Sequence, residues 1–276
     1  MPYFERVAVL LAADEIGSPA LQRARQLCVA FGARLHLLVF AHSRMVEAAS
    51  LLLPGLARQG RQGFLERAAH VAQQESQALR GCGIETDWEV LWSSGHDARL
   101  RRRLQALSPD LLVKNLDAGG ASGWRSIDRL LLNHSAAAVL LAHPEPSAAG
   151  AVAAAIDMDR LWPCEVDFGE RLAATAGRIA AAEGADLELL QAGSRDGAAA
   201  EDGFEQLGCR LSVPATRRHR LGRPTVPAIL DYLAAHPARL AVIGAPLRTL
   251  GQRLLHGRHA ERIALLAGCD VLALRP

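Results

Sequence analysis

The sequence predicts an α/β protein built as two tandem doubly wound parallel-sheet domains. Three observations predict it: one segment occurs twice, continuous apolar runs alternate with helical stretches, and a proline-containing break of small residues falls midway. The repeated segment is Gly32-Ala33-Arg34-Leu35-His36-Leu37-Leu38, which returns as Gly184-Ala185-Asp186-Leu187-Glu188-Leu189-Leu190. Self-similarity of this kind identifies a duplicated unit, and a fold read without it goes astray.

In the first half an apolar run from Val7 to Ala13, ending near Asp14, predicts a buried first strand. A stretch rich in Ala, Leu and Arg follows and reads as a helix. Gly32 then stops it, because glycine takes the left-handed conformation that ends helices, and the second strand begins. Phe64, Ala68, Val71 and Leu79 recur at near-helical spacing and predict a helix. Asp110 to Lys114 and Ala138 to Ala142 predict the last two strands of this half. The second half repeats the pattern with Val152 to Ile156, ending near Asp157 and Asp159, then a helix stopped at Gly184. Gly203 to Leu207 is a shorter counterpart of the Phe64 helix, and Arg239 to Ile243 and Asp270 to Leu274 match the closing strands. Strands of continuous apolar residues alternating with helices imply right-handed crossovers and a parallel sheet covered on both faces. Pro144 to Gly150 disfavours continuation of either element and has little to bury, so the domains are expected at 1–143 and 151–276 with 144–150 as linker.

Composition narrows the function classes. Half of the 276 residues are apolar and 22% are charged, a balance that fits a packed protein with a solvated exterior. No run approaches the ~20 uninterrupted apolar residues of a membrane span, and the start has acidic residues on both sides of a short apolar run where a secretory signal would be basic. A cytoplasmic protein without membrane partners is the expectation. The five cysteines, Cys28, Cys82, Cys164, Cys209 and Cys269, are scattered and odd in number, which points to free thiols. A net charge of +2 is too small for a dedicated nucleic-acid binder, and Lys114 is the sole lysine.

These residues, in this order and in duplicate, resemble the universal stress protein family, and within it the tandem members with two fused copies. The resemblance rests on Ile156-Asp157, Gly184-Ala185-Asp186-Leu187, Val242-Ile243-Gly244, Leu254 to Gly257, Ala260-Glu261-Arg262 and Cys269 to Leu274 in the second half. In the first it rests on Val113-Lys114-Asn115, Asp128 and Val139-Leu140-Leu141. It covers essentially the whole chain. It implies the adenine nucleotide alpha hydrolase-like fold, a strand order of 3-2-1-4-5 in each domain, and pairing of the domains through their last strands.

Nucleotide-binding members of that family carry G-x2-G-x9-G-S/T, in which bare glycine backbone and helix-start amides face the phosphates and a hydroxyl adds a donor. The matching positions in the second half are Gly244, Leu247, Gly257 and Arg258, followed by His259. Two of three glycines remain, Leu247 brings a branched side chain, and Arg258 replaces the hydroxyl by a cation. The resemblance therefore implies a degenerate site formed by Asp157, Gly244, Gly257, Arg258 and His259, with ATP or another adenine nucleotide as the cofactor it would take. The alternative is that these residues keep only a turn and a helix start. In the first half Asn115 replaces the first glycine, Ala12 stands where the family has Asp, and the route from Asp128 to His134 is too short for the usual loop. No conventional nucleotide site is expected there.

Other groups carry weaker chemical signals. His256 and His259 have the spacing of two metal ligands, yet zinc needs three or four, so no metal is assigned. Arg99, Arg101, Arg102 and Arg103, and Arg217, Arg218, Arg220 and Arg223, read as solvated faces, since no aromatic residues interleave them as base-stacking platforms. Gly119 to Gly123 lacks the Gly-Lys-Ser/Thr ending of a phosphate loop. The aliphatic cluster Leu51-Leu52-Leu53-Pro54-Gly55-Leu56 is expected to pack in the core, the other reading being a surface that shields a pocket or faces a partner. No G-x-S-x-G elbow, H-E-x-x-H or carboxylate pair beside a nucleophile occurs, so no catalytic residue is assigned. The expectation is a stress-response protein that binds ligands or partners and assembles as an internal pseudo-dimer and a homodimer, with other stress proteins as further partners. The alternatives are an ATP-binding switch or slow ATPase using the second domain, and an apolar-ligand or metal carrier.

Overall fold

The apolar runs become fully buried strands in both parts of the chain, each flanked by helices that cover its faces. The computed structural model describes residues 4–12, 15, 17–41, 44–92, 98–116, 126–145, 149–157, 166–192, 217–221, 224–245 and 259–275. The chain divides into two compact units, Met1–Asn115 and Leu116–Pro276.

The first unit contains β1 (Arg6–Ala12), α1 (Pro19–Phe31), β2 (Arg34–Ala41), α2 (Arg44–Leu52), α3 (Pro54–Gly81), β3 (Thr86–Trp92), α4 (Ala98–Leu107) and β4 (Leu111–Asn115). Its strands are parallel in the order β3-β2-β1-β4, with Val9 of β1 between Leu37 and Val113. Gly32 ends α1 at φ 65°, returning its N–H to Cys28 O, as the left-handed stop requires. α3 runs antiparallel to β3. The Ser76 hydroxyl and the Arg80 guanidinium donate to Thr86 O at the beginning of β3, while Phe64 meets Trp92 edge-on at its end, ring centroids 6.3 Å apart. Ala68 and Ala72 are small enough for the helix to rest on Val39 and Ala41.

The second unit contains α5 (Ser126–His134), β5 (Ala138–Ala142), β6 (Ala151–Asp157), α6 (Val166–Glu183), β7 (Leu187–Ala192), β8 (Arg217–Arg220), α7 (Thr225–Ala235), β9 (Ala238–Gly244), α8 (His259–Leu266) and β10 (Asp270–Leu274). Its strand order is β5-β10-β9-β6-β7-β8. Counted from β6, the five strands of the second half stand in the order 3-2-1-4-5, and all of them are parallel. β5 joins β10 antiparallel, Leu140 facing Leu272, so the closing strands of the two halves pair with each other. The boundary read at 144–150 follows the repeat, whereas packing groups α5 and β5 with the residues after them. Asn133 Nδ2 of α5 donates to Glu261 Oε1 of α8 at 2.8 Å, and the His143 N–H donates to Asp270 Oδ1 at 2.8 Å.

One expectation is overturned in the first unit. The aliphatic cluster at the α2–α3 junction is not core: Leu52, Leu53 and Leu56 are 83%, 55% and 63% exposed. Pro54 begins a new helix there, as proline can at a first helical position, and the junction points away from the sheet.

Candidate functional site

Open α/β sheets bind ligands beyond the carboxyl ends of their strands, where the order of strands reverses. In the second unit that point lies between β6 and β9. Asp157 is the last residue of β6 and Gly244 the last of β9, on adjacent strands whose register pairs Ala155 with Ile243. His259 opens α8, the helix after β9. The structure thus brings Asp157 and Gly244 to one edge and sets His259 at the helix start. Gly257 and Arg258, with Leu247 and His256, lie outside the described residues.

Gly244 has a neighbour that the sequence does not announce. A Cβ on it would stand 2.9 Å from Phe168 Cε1 and 3.4 Å from Cζ, with Leu172 Cδ1 at 3.8 Å. The phenyl ring of the first turn of α6 therefore covers the glycine, and the Arg171 guanidinium lies over that ring at 5.6 Å. Glycine is needed here because an aromatic ring approaches the backbone, so its presence alone does not imply a phosphate contact. Beside it, the Ala245 N–H donates to Leu274 O at 2.8 Å. Arg275 then ties the edge together, its guanidinium donating to Ala245 O, to Leu131 O at 3.1 Å and to Leu132 O at 2.8 Å. The last two acceptors belong to the final turn of α5, where a cation is favoured, and Leu131 O also accepts the Ser135 N–H at 3.0 Å.

At the corresponding edge of the first unit, side chains of the described residues bond to nearby backbone. Asn115, the last residue of β4, uses Oδ1 to accept the Ala20 N–H in the first turn of α1 at 2.8 Å. Pro19, the residue before it, has no N–H to offer. Glu15 turns back to accept the Ala12 N–H at 2.7 Å, and the Glu15 N–H returns to Ala12 O at 2.9 Å. Lys114, buried at 6% exposure, donates to Asn115 O at 2.8 Å. One N–H at the start of α1 is thus taken by an uncharged amide.

A polar cluster at the opposite, amino-terminal edge of the second unit was not foreseen. Glu188 of β7, buried, accepts from the Tyr232 hydroxyl of α7 at 2.8 Å and lies 3.6 Å from the Arg217 guanidinium of β8. His219 sits 4.8 Å from the Tyr232 ring, His236 stacks on that ring at 4.3 Å, and the two imidazoles are 5.9 Å apart. Burial, then the hydrogen bond from Tyr232 to Glu188 and that carboxylate's charge, push the phenol well above its usual range, with Arg217 opposing. Tyr232 is thus a donor held protonated for a buried carboxylate. Tyr232→Phe removes that donor and is expected to lower unfolding free energy by about 1.5–3 kcal/mol, measured by urea denaturation, with little change if Arg217 alone suffices.

The remaining candidates resolve simply. Arg103 of α4 pairs with Glu89 at 2.5 and 2.7 Å, and Arg217 with Glu188. Among the described residues no group of three or more His, Cys, Asp or Glu could hold a metal ion. Gly119 to Gly123 lies outside the described residues.

Against known proteins, residues 144–275 match the model of the universal stress protein family. No protein of curated function matches the chain. Among solved structures, a protein of Pseudomonas aeruginosa UCBPP-PA14 assigned to the universal stress proteins is similar at TM-score 0.77 and 21% identity, over 99% of this chain and 94% of that one. A universal stress protein of Archaeoglobus fulgidus is similar at TM-score 0.67 and 17% identity, over 97% and 98%. The cytoplasmic domain of a prokaryotic cation chloride cotransporter reaches TM-score 0.57 and 14% identity, over 98% and 94%. At such identities the likeness is one of fold, and a fold hosts many functions.

Proposed function

We propose that the chain is a tandem universal stress protein that serves the stress response by binding and assembly, with no catalytic chemistry of its own and no intact cradle for a triphosphate. The observation that carries this reading is Asn115 at the end of β4, a side chain where the nucleotide-binding pattern has glycine, its Oδ1 accepting the Ala20 N–H. The antiparallel pairing of β5 with β10 supports the assembly half of the reading, because it joins the closing strands of the two repeats as an internal pseudo-dimer. A second copy of the chain and other stress proteins are the partners in this view. The domains are 1–143 and 151–276, linked by 144–150.

A second reading keeps nucleotide chemistry in the second unit alone, as a switch or slow ATPase. Gly244 at the end of β9 and His259 at the start of α8 favour it, with Asp157, Gly257 and Arg258 as the other contacts. Phe168 over Gly244 argues against it, since a phosphate would have to displace the ring. That contact also makes Gly244→Val a poor probe, because the substitution would disturb packing whatever binds.

Titration calorimetry of the full chain with ATP separates the readings. No binding at micromolar ATP is the result expected. Stoichiometry two overturns the proposal, and stoichiometry one selects the switch in the second unit. The same titration of Phe168→Ala should create or strengthen binding only if the ring is what bars the phosphate.

A further inference from the structure

We propose that the tip of the α2–α3 hairpin is a membrane-surface anchor, with the face of an anionic lipid bilayer as its occupant. The proposal starts from where the tip stands. Ser76 and Arg80 of α3 are level with Thr86 at the beginning of β3, and Phe64 is level with Trp92 at its end. Residues 54–63 therefore run on past the carboxyl edge of this sheet, for about 15 Å at the helical rise. α2 lies alongside them, close enough that a Cβ on Gly60 would be 3.3 Å from Val46 Cγ2.

What this prominence carries at its end is apolar. Leu52 and Leu53 close α2 and Leu56 lies in the first turn of α3, all exposed, with Pro54 and Gly55 exposed between them and Met45 83% exposed farther back on α2. Leu52, Leu53 and Leu56 thus put three exposed leucines within five residues on a projecting tip. A soft apolar phase accepts such a shape, whereas a protein groove would have to be built to match it.

Charge selects the kind of lipid. Between residues 48 and 65 the only charged side chains are Arg58 and Arg61, both exposed, and no acidic residue intervenes. Arg61 also lies over the Trp92 ring at 5.3 Å, which holds a cation and an aromatic ring at the base of the prominence. Leucines that enter the headgroup boundary with arginines and an aromatic ring behind them are the arrangement by which helices lie on anionic interfaces without crossing them. None of the helices described is long and apolar enough to span a bilayer, so the contact is a surface one.

The test is flotation of the full chain with vesicles of phosphatidylcholine mixed with phosphatidylglycerol, against vesicles of phosphatidylcholine alone. The protein is expected to float with the mixed vesicles, less with the neutral ones, and less in high salt because screening weakens the arginine contribution. The triple variant Leu52→Ser, Leu53→Ser, Leu56→Ser should bind at least about ten-fold more weakly, while its melting temperature is unchanged because these side chains are exposed in the fold. Failure of the parent to float, or equal flotation of parent and variant, overturns the proposal. So does a parent that sediments as a larger oligomer than the triple variant and floats with neither vesicle, since the leucines would then be an interface between copies of the chain.

Discussion

Gly150→Ala is expected to destabilise the second unit by about 3 kcal/mol or more, read as a fall in the midpoint of urea or thermal unfolding. Gly150 has φ +115°, a region that residues with a Cβ rarely enter. Space compounds the strain, because a Cβ there would lie 2.4 Å from Pro237 O, 2.9 Å from Pro237 C and 3.1 Å from Ala238 Cα. All three are backbone atoms at the entry of β9, so no rotamer change relieves the contact. Moving that backbone would disturb the junction of β6 and β9, where the register already shifts between Ala151 and Val152 and where Arg239 Nε donates to Gly150 O at 3.0 Å. Gly184→Ala is the control. It is also left-handed, at φ +59°, yet nothing lies within 4 Å of its added Cβ, so only the conformational cost of about 1 kcal/mol applies. Equal costs for the two substitutions would refute the steric argument.

The strands without a solvent face are the ones the sequence declared. Leu111 to Val113, Val139 to Leu141 and Val271 to Ala273 are buried on both faces, and a strand with no solvent face must be written as a continuous apolar run. The helix stops at Gly32 and Gly184 were legible for a similar reason, since a left-handed residue is nearly always glycine. The edge strands were not legible. β3 is Thr86–Trp92 with Asp87 and Glu89 inside it, and β8 is Arg217–Arg220, three arginines and a histidine. An edge strand has one neighbour and much solvent, so its composition carries little of the pattern on which such assignments depend. Leu52, Leu53 and Leu56 failed in the opposite sense: leucine reports hydrophobicity and not whether anything covers it.

At the candidate site the sequence exposed the departures without showing what they do. Asn115 in place of glycine was visible, but that its carboxamide caps α1 depends on β4 ending beside Ala20, a tertiary fact. Glu15 was hidden because a carboxylate just after a strand reads as an ordinary solvated loop residue. Phe168 and Arg275 were hidden for want of any local signal, since a phenyl ring in the first turn of α6 acquires meaning only from β9 beneath it. Duplication, strand order and glycine positions travel in local sequence, whereas occupancy of a crevice is decided by side chains that approach from distant segments.

Alkaline pH is expected to unfold the two units through one thiol each. Burial pushes Cys28 in α1 from 9.0 up to about 12, and burial, aided by the neighbouring Asp270 carboxylate, does the same to Cys269, with the Ala241 backbone hydrogen bond opposing. Below pH 9 the thiol is protonated in both the folded and the unfolded chain, so it contributes no pH dependence. From pH 9 to about 12 the unfolded chain releases the proton while the native state keeps it. The native state then binds more protons, and stability falls as pH rises. The slope is about 1.4 kcal/mol per pH unit for each thiol, reaching about 4 kcal/mol across the window. Tyr232 adds to the loss in the second unit once pH passes its ordinary value of 10.0. Because Cys28 lies in the unit Met1–Asn115 and Cys269 in Leu116–Pro276, the substitutions are separable. Cys28→Ala should flatten the alkaline decline followed by a probe of the first unit and leave the second unchanged, and Cys269→Ala the reverse. Urea midpoints measured across that window, with Trp88 and Trp92 fluorescence for the first unit and amide exchange of β9 and β10 for the second, decide the matter. An unaltered slope in either variant would mean that its thiol ionises in the native state before the fold gives way, and that burial in α1 or at the start of β10 is less complete than the structure has it.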